Sequence, residues 1–274
     1  MNDLLCLATA QSSISADVCA NGSQIRALMR EASEKGARII HFPEAALSGY
    51  PKAQIKDWQE VDWTALEEEL ASIEREAARL GIWVVLGCNH RLESPKRPHN
   101  SLYVISDRGE IVHRYDKRYC SHTEVTDWYT PGTEPLYFEV DGFRFGCVLC
   151  IEINFMEVFA HYEKMQADCI LFSAYSEDPV FGIQAQGYAA TNNFWISVST
   201  PAQCSHSLTS GLIDPRGYIV AQCEKNVEPQ ILIQTLNRKA PALEIALTKA
   251  RPWRREARKG DIYAQVFAGG EDTS

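Results

Sequence analysis

The sequence predicts an α/β fold in which a mixed β-sheet, or a pair of them, is covered by helices. Three observations carry this reading. Apolar strand-like runs alternate with segments of helical period, hairpins are interspersed among them, and no linker, low-complexity stretch or defensible internal repeat interrupts the 274 residues. A single domain over 1–274 is expected, with 237–274 as a C-terminal tail.

The elements follow in order. Leu4 to Ala10 reads as a buried strand. Ile25, Leu28, Met29 and Ala32 recur at helical spacing, and Gly36 follows as a stop. Arg38 to Phe42 is a short apolar strand ending at Pro43-Glu44, followed by a polar loop with Gly49, Pro51 and Trp58. Leu66, Leu70, Ile73, Ala77 and Leu80 mark the clearest amphipathic helix, ended by Gly81. Ile82 to Cys88 is the next strand. Ser101 to Ser106 and Ile111 to Tyr115 flank Asp107-Arg108-Gly109-Glu110, a hairpin signal, and Leu136 to Val140 and Phe143 to Leu149 flank the stronger Asp141-Gly142. After Cys150 the period becomes helical through Phe155, Val158, Phe159, Tyr162 and Met165. Asp168 to Phe172 is a strand, Gly182 to Asn193 a helix, and Phe194 to Thr200 a strand. Leu208 to Asp214 and Tyr218 to Cys223 form a third hairpin around Pro215-Arg216-Gly217. Ile231 to Leu236 is the last strand, Ala242 to Lys249 a helix, and a basic, Trp-containing tail follows.

Composition narrows the function. Hydrophobic residues make up 45% and charged residues 23%, enough to bury a sizeable core. A net charge of −9 argues against a nucleic-acid or anionic-membrane surface, because such binding needs clustered Lys and Arg. The basic cluster Arg251, Arg254, Arg255, Arg258 and Lys259 reads as a surface or interface segment. No apolar run reaches the roughly 18 residues of a membrane span, and Met1 to Gln11 lacks the basic start of a secretory signal. The nine scattered cysteines then read as reduced thiols of a cytoplasmic protein.

Three segments place a reactive side chain at or just past a strand end, where α/β enzymes tend to build sites. Glu44 follows an apolar strand; it could be a desolvated base or a solvated loop acid. Lys117, in Tyr115-Asp116-Lys117-Arg118-Tyr119, could stabilise an oxyanion or be a surface charge. Cys150 stands at a strand-to-helix turn, where a helix dipole would favour the thiolate and the Ile151 N–H could serve an oxyanion; it could equally be a buried structural cysteine. Cys147 and Cys150 form C-x-x-C, but there is no second pair, no nearby paired His, and in a strand the two face opposite sides, so no metal site is expected. G-x-S-x-G, Walker and G-x-G-x-x-G motifs do not occur.

Taken together these segments resemble the nitrilase superfamily of carbon–nitrogen hydrolases. Phe42-Pro43-Glu44 with trailing Gly49-Tyr50 resembles its glutamate motif, Tyr115-Asp116-Lys117 its lysine motif, and Cys150-Ile151-Glu152 with Phe155 and Glu157 its nucleophile motif. Thr130-Pro131-Gly132, the Ala167 to Leu171 strand, the Gln186 to Asn192 helix, the Ser210 to Gly217 hairpin and the Arg251 to Arg255 tail extend the likeness over nearly the whole chain. The chain departs from the family at Asn154 and Met156, where Arg and Pro are frequent, at Tyr188, and at Ile151, often Trp in enzymes acting on nitriles and commonly Tyr in amide hydrolases.

The resemblance implies a four-layer αββα sandwich and a Glu44–Lys117–Cys150 triad, with Glu124 the candidate for a second, assisting glutamate. It implies a thiol hydrolase cleaving a non-peptide C–N bond of a small linear amide or carbamoyl compound through a thioester, with no cofactor. Nitrile hydrolysis, acyl transfer to an amine and a non-catalytic scaffold are the alternatives. Tyr50, Trp128, Tyr175 and Trp195 could line the substrate pocket or simply pack. The expected partners are a small-molecule substrate and a second copy of the chain in a homodimer or larger assembly, with the C-terminal tail at that interface; neither nucleic acid nor membrane is expected.

Overall fold

The computed structural model describes residues 2–268. The strands are β1 (Leu4–Gln11), β2 (Ile39–His41), β3 (Trp83–His90), β4 (His99–Ile105), β5 (Ile111–Asp116), β6 (Tyr137–Val140), β7 (Phe143–Leu149), β8 (Cys169–Ser173), β9 (Trp195–Ser199), β10 (Gly211–Ile213), β11 (Ile219–Gln222) and β12 (Gln230–Asn237). The α-helices are α1 (Val18–Glu34), α2 (Trp63–Leu80), α3 (Met156–Lys164), α4 (Val180–Asn192), α5 (Arg251–Lys259) and α6 (Asp261–Ala268).

Local chemistry sets the boundaries. Asp17 and Asp62 cap α1 and α2 by accepting from the N–H of Ala20 and Ala65, which satisfies donors a helix start leaves unpaired. Gly81 ends α2 in the left-handed region at φ 64°. Asp141-Gly142 makes the tight β6–β7 turn, both residues at positive φ.

Two six-stranded sheets result. The first has the order β12-β1-β2-β3-β4-β5, the second β11-β10-β9-β8-β7-β6. Within each, three central strands run parallel (β1, β2, β3 and β7, β8, β9) and antiparallel strands flank them. Alternation along the strands divides the core in three. Ala8, Ala10, Ile40 and Val84 face α1 and α2; Val148, Ile170, Phe172 and Ile196 face α3 and α4. Leu5, Leu7, Ile39, Phe145, Cys147, Leu171 and Trp195 meet between the sheets. The layers are therefore α, β, β, α, as expected.

Several local expectations are corrected. The sheets have the same strand order, β12 standing to β1 as β6 stands to β7, although the residues show no repeat. The third hairpin is shorter, with Leu208 to Ser210 outside β10. The predicted helix over Ala242 to Lys249 is a 3-10 turn at Pro241–Leu243 and a wide π-type turn at Ile245–Ala250, because Leu243 and Ala246 are drawn inward to bury. The basic tail is itself helical. Its cations are used within the chain: Arg251 reaches Asp168 at 3.2 Å, Arg255 and Arg258 reach Glu163 at 3.1 and 3.3 Å, and Arg254 donates to the Ala190 carbonyl at 2.7 Å. The last predicted tail residues, 269–274, lie outside the described residues.

Candidate active site

Glu44 lies three residues past β2, in a backbone that crosses unusually close to β3. A Cβ on Gly87 would stand 2.0 Å from the Pro43 carbonyl oxygen, so only glycine lets the two chains pass. Ala45 follows at φ 57°, a left-handed conformation that costs a non-glycine residue energy and turns the chain sharply after the carboxylate. Lys117 follows β5; its N–H donates to the Asn100 carbonyl at 2.8 Å and its own carbonyl accepts from Gly132 N–H at 2.8 Å. The predicted Thr130-Pro131-Gly132 turn thus clasps the lysine strand end. Cys150 follows β7 at φ 48°, a second strained residue, and opens a 3-10 turn over Cys150–Asn154.

These strand ends converge. Lys117 Nζ lies 3.0 Å from Glu44 Oε1 and 2.7 and 3.0 Å from the two oxygens of Glu124. Glu44 also accepts from Asn100 Nδ2 at 2.7 Å and, through its other oxygen, from Tyr175 N–H at 2.8 Å. The carbonyl of the same Tyr175 lies 3.7 Å from Cys150 Sγ. Residue 175 therefore touches both Glu44 and the Cys150 thiol through its backbone. Glu44 and Lys117 are essentially sealed from solvent, at 0% and 1% exposure. Glu44 is therefore not a solvated loop acid nor Lys117 a surface charge, and Glu124 is buried beside them.

Burial penalises every charge here, and the partners decide which charges survive. For Lys117 the penalty is outweighed by Glu44 and Glu124, so it is held firmly protonated. For Glu124 the penalty is outweighed by Lys117, the Ser121 N–H at 2.7 Å and the Tyr50 hydroxyl at 3.0 Å, so its proton affinity falls. Glu44 goes the other way: burial, with repulsion from Glu124, raises its proton affinity despite Lys117. The two carboxylates are thus pushed in opposite directions. The Cys150 thiol is also pushed up, by burial and by the Glu44 charge. This corrects the expectation of a dipole-stabilised thiolate, for Cys150 begins a five-residue 3-10 turn rather than a long helix.

The remaining expected residues divide. Tyr50 and Tyr175 stack at 4.9 Å beside this cluster, and Ile151 is half-buried on the nucleophile turn. Trp128 instead packs edge-on to Trp58, and its carbonyl accepts from Trp58 Nε1 at 3.0 Å. Trp195 belongs to the apolar core between the sheets, not to a pocket, because the β9 pleat turns it inward. Two residues escaped sequence reasoning as site residues. Asn100 offers no signal beyond an Asn in a strand. Glu152, fully buried, accepts from Tyr115 hydroxyl and from the N–H groups of Arg118, Tyr119 and Leu149, binding the lysine loop to the nucleophile turn. Its place two residues past Cys150 was visible; its partners were not. Among the described residues, no group of three His, Cys, Asp or Glu side chains could hold a metal ion, and no helix is long and apolar enough to cross a membrane.

Comparison with known proteins places the chain in a family and a fold. The family described as carbon-nitrogen hydrolase matches residues 6–241. The chain is 24% identical over 203 residues to 2-oxoglutaramate amidase of Bacillus subtilis, covering 70% of this chain and 76% of that one. It is 22% identical over 236 residues to nitrilase homolog 2 of Dictyostelium discoideum, covering 78% and 71%. Its fold superposes on an amidase from Nesterenkonia sp. with a TM-score of 0.75 at 20% identity, covering 88% of this chain and 95% of that one.

Proposed function

The chain belongs to the carbon-nitrogen hydrolase family, and from that premise we propose that Cys150, Glu44, Lys117 and Glu124 hydrolyse a small linear amide or carbamoyl compound through a cysteine thioester. The observation that carries the reading is geometric: one buried lysine stands within 3.0 Å of two buried glutamates, and the Tyr175 peptide bonds Glu44 through its N–H while its carbonyl faces the Cys150 thiol.

In this mechanism Glu44 takes the thiol proton as Cys150 Sγ attacks the carbonyl carbon. The oxygen becomes an oxyanion, held by Lys117 and the Ile151 N–H; losing one such donor typically costs about 3 kcal/mol of transition-state stabilisation. The intermediate collapses, Glu44 returns its proton to the leaving nitrogen, and ammonia or an amine departs. Glu44 then takes a proton from water, the resulting hydroxide attacks the thioester, and the thiolate regains that proton as the acid leaves. Glu124 keeps Lys117 charged throughout. Ile151, in place of the Trp frequent in nitrile-acting members, and the presence of amidases among the similar proteins favour an amide over a nitrile.

We further propose a homodimer or larger homo-oligomer, supported by exposed apolar side chains on α3 and α4: Met156, Val180 and Ile183. Light scattering on the purified protein reads this directly.

The test of the chemistry is ammonia release from a panel of amides, carbamoyl compounds and nitriles, with wild type and Cys150→Ala side by side. Release from one class, abolished in the variant, is expected. Release that persists in Cys150→Ala would overturn the nucleophile assignment.

A further inference from the structure

The interface between the sheets changes character along the strands. Toward their starts it is apolar: Leu7, Ile39, Leu171 and Trp195. Two residues further along the same faces stand Thr9, His41, Ser173 and Ser197, all buried and all polar. His41 is wholly enclosed, three residues before Glu44, and no step of the proposed mechanism uses it.

The hydrogen bonds among these side chains have a direction that can be worked out. A serine hydroxyl has one proton. Ser173 Oγ donates its proton to the Phe42 carbonyl at 2.9 Å. Toward His41 Nε2, 2.7 Å away, Ser173 must therefore accept, so Nε2 carries the ring proton. Complete burial, with no charged partner on the ring, keeps it neutral and its pKa lowered to about 3. Nδ1 is then bare and accepts from Ser197 Oγ at 2.9 Å. With its proton so committed, Ser197 accepts from Thr9 Oγ1 at 2.7 Å. The chain runs one way, from Thr9 through Ser197, His41 and Ser173 to the Phe42 carbonyl. Each bond crosses from one sheet to the other.

The stitch ends where the candidate site begins. Phe42 precedes Pro43-Glu44, and Ser173 precedes Ala174-Tyr175. Tyr175 N–H holds Glu44 Oε2, and its carbonyl faces Cys150. The separation of the β2 and β8 ends therefore sets where the carboxylate stands relative to the thiol. We propose that His41 is a positioning residue: as the neutral Nε2–H tautomer it completes a one-way hydrogen-bond chain that fixes the β2 and β8 ends against each other and so aims Glu44. The catalytic part of this inference rests on the hydrolase reading above.

Two measurements test it. The first is nitrogen NMR of histidine-labelled protein, with the His41 signals assigned by their loss in His41→Gln. A neutral Nε2–H ring that does not titrate between about pH 7 and 5 is expected, since an ordinary histidine titrates there. An Nδ1–H tautomer, or an ordinary titration, overturns the chain as drawn. The second is the rate at which iodoacetamide alkylates Cys150, followed by mass spectrometry of its peptide, which needs no knowledge of the substrate. Relative to wild type, His41→Leu and Ser173→Ala should slow alkylation by roughly ten- to a hundredfold, the upper figure being what a misplacement of about 1 Å can cost. His41→Gln, which can donate and accept along the same line, should recover most of the rate. Ser173→Ala, lacking a single hydroxyl, supplies the measurement if His41→Leu does not fold. If Glu44→Gln slows alkylation but His41→Leu and Ser173→Ala do not, the positioning role is wrong and the base assignment stands. If Glu44→Gln itself leaves the rate unchanged, Glu44 does not assist this thiol and the proposed positioning role fails, while the hydrolase reading is judged separately by ammonia release.

Discussion

At the scale of single residues, one ammonium is shared unequally by two carboxylates. Lys117 lies closer to Glu124, which collects additional donors from Ser121 and Tyr50, so that pair keeps its charges. Glu44 receives the weaker share and the repulsion of Glu124, and its proton affinity rises. The sign of a test follows. Glu124→Gln removes that repulsion and leaves Lys117 to Glu44 alone, so the Glu44 pKa should fall. The acid limb of the activity profile should then move to lower pH while kcat drops, since Lys117 has lost its principal counter-ion; a limb that moves upward contradicts the assignment. Glu44, Lys117 and Cys150 were legible in the sequence because each stands in a motif at a strand end. Asn100 and the backbone of Tyr175 were not, because one asparagine in a strand, or a peptide N–H, carries no signal until the fold says what it faces. The direction of the Cys150 shift was also out of reach, since it depends on two carboxylates brought in from distant segments.

Among the elements, the close crossing at Gly87 makes a sharp demand. A methyl there would meet the Pro43 carbonyl and the Ala45 nitrogen, backbone atoms that cannot swing aside. Gly87→Ala should destabilise by about 1–3 kcal/mol, the usual cost of overpacking, and should lower activity more than the loss of folded protein explains, because the strain falls on the residues either side of Glu44. Denaturant titration with activity per folded molecule checks both parts. The C-terminal helix makes a milder demand. Arg251→Ala leaves Asp168 with Arg238 as its remaining guanidinium partner at 2.7 Å, and a loss of about 2 kcal/mol is expected in the same titration. Strands were readable from their apolar runs and the β6–β7 turn from Asp141-Gly142. The end of the chain was not: its arginines look like a solvated face until Asp168, Glu163 and the Ala190 carbonyl are seen to receive them.

Over the whole molecule, the buried polar seam links stability to pH. His41 has its folded pKa lowered to about 3, whereas an unfolded histidine binds a proton near pH 6.5. The unfolded chain therefore holds more protons between these values, so the contribution is fully present above about pH 6.5 and is lost as pH falls toward 3. Unfolding free energies at neutral pH, pH 5 and pH 4 should decline, and His41→Gln should flatten the decline. The sandwich itself was legible from alternating runs and the family likeness. The matching strand order of its two sheets was not, because equivalence of topology needs no equivalence of side chains: the segments after β2 and β8, the central strands of the two sheets, carry Glu44 and Tyr175 and are joined by the hydrogen bond between them. That order also governs assembly in time. β1, the first strand, pairs along its length with β12, Leu4 opposite Asn237. During synthesis the first sheet must wait, with β1 unpaired on one side, until β12 emerges, whereas the second has all its strands as soon as β11 emerges. Such a long-range pairing is slow to form, and an unpaired edge invites neighbours. Nascent chains stalled before Gln230 should thus be sticky and chaperone-bound, and release past Asn237 should mark the moment they become soluble.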